Sequence, residues 1–415
     1  MASRPSLGRQ FEWLWGAYAV STLGTWLAFD AFSLIAIRVL DAGPSAVSGL
    51  AAAGLAVAVV VALPLGPWVE FHRKRPVMVA MDLLRFALLL SVPATYALGR
   101  LGFAQLLIVS VVVSAADITF TAASGAYLKA LVRQENLLVA NGRFEATTWT
   151  ASMLGPPLGG AMVGLFGPVV TVIANAVSFL LSAVGIRAIG GPEKPPPARI
   201  DGHRLRAADL LEGWRHILTH PVLRPLLCNV LIVNGLIMAT TPLMAVLLLG
   251  QLGFAPWQYG LAFAAPCIGG LIGSRLARPL VARYGQHTVL LTAGSLRACW
   301  LVGLAFVGPG TAGLVLVTAV ELGLITCCGV FNPVSATIRL HQIPTDLVAR
   351  TLSAWSIATK TSIAATTALF GVLAGFTGPR TAITLAGLLI LATPLLLPRR
   401  DHAPHRDREP TRSPT

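Results

Sequence analysis

The sequence predicts an all-α membrane protein of twelve transmembrane helices, arranged as two six-helix bundles with a central cavity at their interface. Three observations carry that expectation. Mean hydropathy is +0.73, and only 12% of the 415 residues are charged, about half the supply of a typical soluble domain. Apolar runs recur along the chain, each long enough at about 1.5 Å per residue to cross about 30 Å of hydrocarbon. A single proline-rich, charged stretch, GGPEKPPPARIDGHRLRAADLLEGWRHILTHP (190–221), divides those runs into six and six.

Read between Gly, Pro and charged punctuation, the spans fall at 13–37, 46–69, 76–98, 103–126, 141–165, 168–188, 222–250, 257–280, 286–307, 311–335, 350–376 and 380–397. The opening MASRPSLGRQFEWLWG turns from basic to apolar as a signal peptide does. Its run is too long for an h-region and lacks a small-residue cleavage site, so it is read as a retained first span. The organisation that follows is an N-terminal bundle (1–188), a cytoplasmic linker with an amphipathic helix (189–221), a C-terminal bundle (222–398) and a disordered basic tail (399–415).

Lysine and arginine prefer cytoplasmic loops. Alternate loops carry Arg4 and Arg9, Arg73 to Arg75, Lys129 and Arg133, Arg187 to Arg215, Arg278 and Arg283, Arg339 and Arg350, and the tail from Arg399. The opposite set holds Arg38, Arg100 and Arg380. Both termini and the linker are therefore expected in the cytoplasm. The net charge of +14 is a topology signal and not a nucleic-acid footprint. Five cysteines lie in apolar runs without metal-ligand or disulfide spacing.

The halves are weakly self-similar. LGGAMVGLFGP (158–168) aligns with LFGVLAGFTGP (369–379), and Leu84-Arg85 falls opposite Leu296-Arg297 at nearly the same offset. Parallel repeats of six spans are the plan of one large transporter class.

Specific motifs sharpen this. STLGTWLAFD (21–30), GPWVEFHRKRPV (66–77), DLLR (82–85), Asp117, AYLKALV (126–132), ANGRFEAT (140–147), GPPLGG (155–160) and ANAVSFLLSA (174–183) resemble the major facilitator superfamily. Within it, the chain is similar to bacterial exporters of the enterobactin-exporter and macrolide-efflux type, which implies a multi-pass protein of the bacterial inner membrane. In the superfamily's loop motif, Gly66 matches, Glu70 replaces an aspartate, and Lys74 and Arg75 supply the basic pair; Trp68, Val69, Phe71 and Arg73 depart from it. The resemblance implies an inter-helix charge lock that stabilises one state, beside the plain reading as a positive-inside loop. Gly142, Gly155, Pro156, Gly159 and Gly160 match the antiporter motif of the fifth span, with Ala151 where a second glycine is usual. In similar proteins that motif marks proton-coupled export. Physically, the prolines kink the helix and the glycines admit a neighbouring backbone. The second half has no Gly-Pro pair at the matching place, and a packing kink is the alternative.

Charges inside spans are functional candidates. Asp30 has no ionic partner on its own helix and is the first choice for proton coupling, with Asp117 second. Asp82 and Arg85, three apart on one helix face, read as a structural ion pair. Arg143 and Glu145 sit near the cytoplasmic start of the fifth span and read as snorkelling. Arg275 and Arg297 are expected to make inter-helix contacts. Glu321 and Lys360 either pair across the cavity or meet an ionic substrate. Trp149, Asn175, Trp257, Trp300, Asn332 and Trp355, with Tyr259 and Phe331, are candidates for the cavity wall, the alternative for the aromatics being lipid contact.

GxxxxGK[ST], HExxH and GxSxG are absent, so neither nucleotide hydrolysis through a P-loop nor a hydrolase is indicated. The expected function is proton-coupled antiport that exports a small amphipathic drug or secondary metabolite by alternating access. No cofactor is expected beyond the coupling proton, and the partners are the substrate and the bilayer, with a functional monomer. The alternatives are an importer or uniporter on the same fold and a non-transporting membrane sensor.

Overall fold

The computed structural model describes residues 7–28, 31–38, 40, 65–193 and 207–398. The first half comprises α1 (Arg9–Leu27), α2 (Ala31–Arg38), α3 (Leu65–Glu70), α4 (Lys74–Ala97), α5 (Phe103–Leu131), α6 (Leu137–Phe166) and α7 (Pro168–Arg187). After α8 (Ala207–Thr219) come α9 (Leu223–Ala245), α10 (Pro256–Ala264), α11 (Cys267–Tyr284), α12 (Gln286–Trp300), α13 (Gly310–Gln342), α14 (Val348–Thr377) and α15 (Pro379–Ile390). No strand occurs among the described residues, as hydrocarbon requires of a chain that satisfies its backbone within each segment.

Nine helices among the described residues are long and apolar enough to cross a membrane. The expected span at 46–69 lies outside the described residues up to its last turn, α3. α6 carries a run of hydroxyl side chains, and it satisfies them locally. The hydroxyls of Thr147, Thr148, Thr150 and Ser152 each donate to a carbonyl three or four residues back, at 2.8–3.1 Å.

α1 packs along α6 and α7, and α4 along α5 and α7. Beyond the linker, α9 packs on α14, and α13 on α11 and α12. The halves meet where α6 touches α11 and α13, and where α14 touches α3 and α5. The amphipathic α8 lies on α14 and α9. The largest buried cluster is built from both halves, with Phe11, Tyr127 and Leu128 beside Leu340, Leu352 and Trp355. It lies at the end of the bundle that carries the Arg- and Lys-rich loops. Two further clusters are each private to one half, around Leu89 and Val172 in the first and around Leu236 and Ile383 in the second.

The repeat reappears as geometry. Gly167 (φ +83°) precedes Pro168 at the start of α7, and Gly378 (φ +84°) precedes Pro379 at the start of α15. Glycine supplies the left-handed φ, and proline at the first helical position has no amide to leave unpaired.

Candidate functional site

A cavity of about 430 Å³ lies between the halves. α1 contributes Tyr18, Thr25 and Trp26, α5 contributes Asp117 and Phe120, and α6 contributes Asn141 and Glu145. The other half adds Asn332 and Arg339 from α13 and Trp355 from α14.

Its carboxylates fall into two groups. Asp117 accepts from Lys360 Nζ of α14 at 2.8 Å and stands 3.5 Å from Arg85 Nη1 of α4. Arg85 also meets Asp82 at 2.5 Å, with its guanidinium over the rings of Phe120 and Phe179. Two cations thus balance two carboxylates, and the set ties α4, α5 and α14 together. Glu145 is different. Its Oε1 accepts from Asn332 Nδ2 of α13 at 2.7 Å and from Trp149 Nε1 on its own helix at 2.8 Å. Among the described residues no cation pairs with it. Glu145 therefore bridges the halves as a partly buried carboxyl that pairs with no cation among the described residues.

Below the cavity the basic end is closed. Leu352 of α14 sits over Gly125 of α5, where a β-carbon would lie 2.3 Å from its Cδ1. Asn141 Nδ2 donates to Thr337 Oγ1 at 2.9 Å, and Lys129 Nζ donates to the carbonyl of Ile343. The loop motif supplies the strongest tie. Glu70 Oε2 accepts the amides of Ala349 (2.9 Å) and Arg350 (3.3 Å) in the first turn of α14, where a helix presents unpaired N–H groups and partial positive charge. Burial pushes the Glu70 carboxyl up to about 7, against the lowering pull of Lys74 and the two amides. The basic pair splits its work: Lys74 Nζ caps the carbonyls of Val69, Glu70 and His72. Arg75 binds the Ile189 carbonyl and the Tyr127 hydroxyl at 2.7 and 2.9 Å. Gly66 lies within α3.

Several expectations need correction. Glu145 does not snorkel: its carboxyl turns to Trp149 of α6 and Asn332 of α13. Glu321 and Lys360 do not pair, because Asp117 takes the lysine; Glu321 is buried off the cavity wall. Trp149 and Asn175 are also off that wall. The Trp149 ring fills the notch at Gly270 of α11, and Asn175 faces Ser178 and the glycine surface of α1. Arg339, expected in a loop, is in α13 and lies over the Trp355 ring at 4.6 Å. Phe331 is buried beneath Arg297. Asp30 lies outside the described residues, as does the side chain of Trp257.

In the antiporter motif Gly155 and Gly159 admit a neighbouring backbone, as expected. α6 runs unbroken from Leu137 to Phe166, with Pro156 and Pro157 inside it. Both prolines are exposed, and Gly155 and Gly159 serve packing against α1 rather than the cavity. A β-carbon on Gly155 would stand 2.4 Å from Trp26 Cβ, and one on Gly159 would stand 2.1 Å from the Leu27 carbonyl. Gly160 faces open space, Gly142 abuts the Ser274 carbonyl of α11, and Ala151 is buried.

Glu145 is a cavity carboxyl that the sequence presents only as a snorkelling group. Its signal was present: a carboxyl on the motif helix, in ANGRFEAT, one turn before a tryptophan. The second half offers a contrast to the first. Arg297, opposite Arg85 in the repeat, bonds Asn229 and stacks on Phe331, but Gly294 and Gly329 stand where Asp82 and Asp117 stand in the first half.

Known proteins match this architecture. A bacterial homologue of the iron transporter ferroportin, solved in an outward-facing state with soaked iron, superposes with TM-score 0.77 at 17% identity over 95% of this chain and 100% of its own. The Escherichia coli fucose:proton symporter superposes at 0.68 with 13% identity, over 93% and 97%. In sequence, the multidrug efflux pump Tap of Mycolicibacterium fortuitum is 29% identical over 189 residues, which span 45% of each chain, a little under half of Tap's length. The uncharacterized MFS-type transporter YvqJ of Bacillus subtilis (strain 168) is 24% identical over 69% of this chain and 68% of its own. The profile of the Major Facilitator Superfamily matches residues 14–330. With its all-helical fold and its cavity between two packed halves, the chain belongs to the Major Facilitator Superfamily of transporters.

Proposed function

We propose that this transporter is an exporter of a small amphipathic compound, driven by protons moving the opposite way. The observation that carries the reading is Glu145, a carboxyl without a cation partner among the described residues, held in the cavity by hydrogen bonds from both halves. An ionisable group in that position is a functional site by default. The ionised carboxylate accepts from Asn332 and Trp149 together and holds α6 to α13. A proton weakens it as an acceptor, and a polar group on the substrate competes for the same oxygens. Proton and substrate thereby favour different states, which is what exchange requires. The aromatic lining of Trp26, Phe120 and Trp355 suits the apolar body of such a compound. Likeness to a multidrug efflux pump supports export. By the positive-inside rule the basic end faces the cytoplasm, so the conformation described is closed to that side, and the chain sits in a bacterial inner membrane.

The test is uptake of fluorescent amphipathic compounds into inside-out vesicles under an imposed pH gradient. Glu145→Gln is expected to lose gradient-driven transport tenfold or more while still binding substrate. Asp30→Asn and Asp117→Asn, the other carboxyl candidates, are run beside it. Gradient-driven transport that survives in Glu145→Gln and fails in Asp30→Asn moves the coupling site to Asp30. Transport that ignores the gradient in wild type favours a uniporter, and none across a broad compound panel favours a sensor.

A further inference from the structure

We propose that a second crevice, between α1, α6 and α11, binds an anionic phospholipid from the bilayer. The crevice measures about 940 Å³ and shares no lining residue with the central cavity. It lies on the seam where the first half meets the second, and its walls include the exposed side chains of Leu23 and Leu154. On a helix bundle in a membrane, such a surface faces lipid.

Its polarity runs along its length. At the basic end stand Arg143 of α6 and Arg275 and Arg278 of α11. Arg143 is already engaged, bonded to Glu12 at 2.5 Å and lying over Phe11 and Trp15. Arg275 and Arg278 are three residues apart on one face of α11. Both are exposed, and neither has an ion pair or hydrogen bond among the described residues. This departs from the inter-helix contact expected of Arg275. Toward the middle of the helices the walls become Leu23, Leu154 and Leu271. That order, with guanidinium groups at the headgroup level and leucines deeper, is the order of a phospholipid. Two unopposed guanidiniums favour a headgroup with net negative charge, since a zwitterionic one brings its own cation.

The site also bears on conformation. Its floor is the contact of α6 with α11, where Gly142 abuts the Ser274 carbonyl. A lipid held by walls from both halves must be released, or must lose one wall, when those helices part. Occupancy therefore favours the state closed at the basic end.

The experiment uses the purified full chain in nanodiscs of phosphatidylcholine, alone or mixed with phosphatidylglycerol. Phosphatidylglycerol is expected to raise the thermal midpoint of wild type by several degrees, and native mass spectrometry to retain a phosphatidylglycerol adduct. Arg275→Gln/Arg278→Gln is expected to match wild type in phosphatidylcholine alone, which shows that it folds. It is also expected to lose most of the midpoint shift, with lipid affinity down about tenfold or more. Arg283→Gln, on the same helix but outside the crevice, keeps the full response, and Arg275→Lys/Arg278→Lys restores part of it. Equal responses of wild type and the glutamine pair overturn the proposal. So does a wild-type response in phosphatidylcholine that inorganic phosphate alone reproduces.

Discussion

Asp117 and Glu145 face one cavity, yet substituting them has different consequences. Asp117 is compensated by Lys360 and Arg85, so Asp117→Asn strands Lys360 in a partly buried site while Arg85 keeps Asp82. Breaking one side of a buried ion pair costs about 3–5 kcal/mol, and the half-exposed carboxylate places this case at or below the lower end of that range. The thermal midpoint of Asp117→Asn is expected to fall, and Asp117→Asn/Lys360→Met is expected to recover much of the loss. A double variant no more stable than the single one would show that the pair contributes little. Glu145→Gln keeps an acceptor for Asn332 and strands no cation, so its midpoint is expected to stay near wild type while coupled transport is lost.

At the scale of one element, the motif in α6 separates into positions with distinct roles. Gly159 has the Leu27 carbonyl where its β-carbon would be, whereas Gly160 has open space. Gly159→Ala must push α1 away and is expected to cost about 1–3 kcal/mol by overpacking. Gly160→Ala gains helix propensity of up to about 1 kcal/mol and is expected to be neutral or stabilising. Thermal midpoints in detergent decide this, and equal losses at both positions would refute the packing account. Here the sequence was only partly legible. The motif's small residues announced close approach, but spacing alone does not say which neighbour approaches. α1 and the cavity lie on adjacent faces of α6, and uniformly apolar helices fix no rotation. The same ambiguity put Trp149 and Asn175 on the cavity wall and left Glu145 outside it. The Asp82–Arg85 contact was more accessible, because a three-residue spacing on one helix already brings the two side chains together.

At the scale of the molecule, the fold was the most legible feature, since hydropathy and loop charge report on the bilayer and need no side-chain geometry. The closed end was not, because Glu70 binds main-chain amides of a helix that follows it by some 280 residues. That contact predicts a pH dependence. Burial raises the Glu70 carboxyl to about 7 in the closed state, and release to water returns it to about 4.3, the ordinary glutamate value. The closed state therefore binds more protons between those values. Its advantage from Glu70 is full below the ordinary value and is lost as pH rises through about 7. Distances between spin labels at the basic ends of α5 and α13 are expected to lengthen as pH rises from 6 to 8, values chosen to bracket that titration. Glu70→Gln is expected to flatten the profile, and a profile unchanged in that variant would remove Glu70 from the gate.

The division of buried apolar side chains into a large shared cluster, a small shared pair of Ile118 and Ile357, and two private clusters sets how sequence drift will act on this protein. Substitutions at Leu236 or Ile383 fall inside one half, where packing is kept whichever way the halves are tilted, so they lower the yield of folded protein in every state alike. Substitutions at Leu128, Leu340 or Leu352 fall where the halves touch only while the basic end is shut. There a lost methylene leaves each half intact and shifts how long the molecule dwells in one orientation. Natural variation in turnover is thus expected to collect in the shared cluster, and loss-of-expression alleles in the private ones.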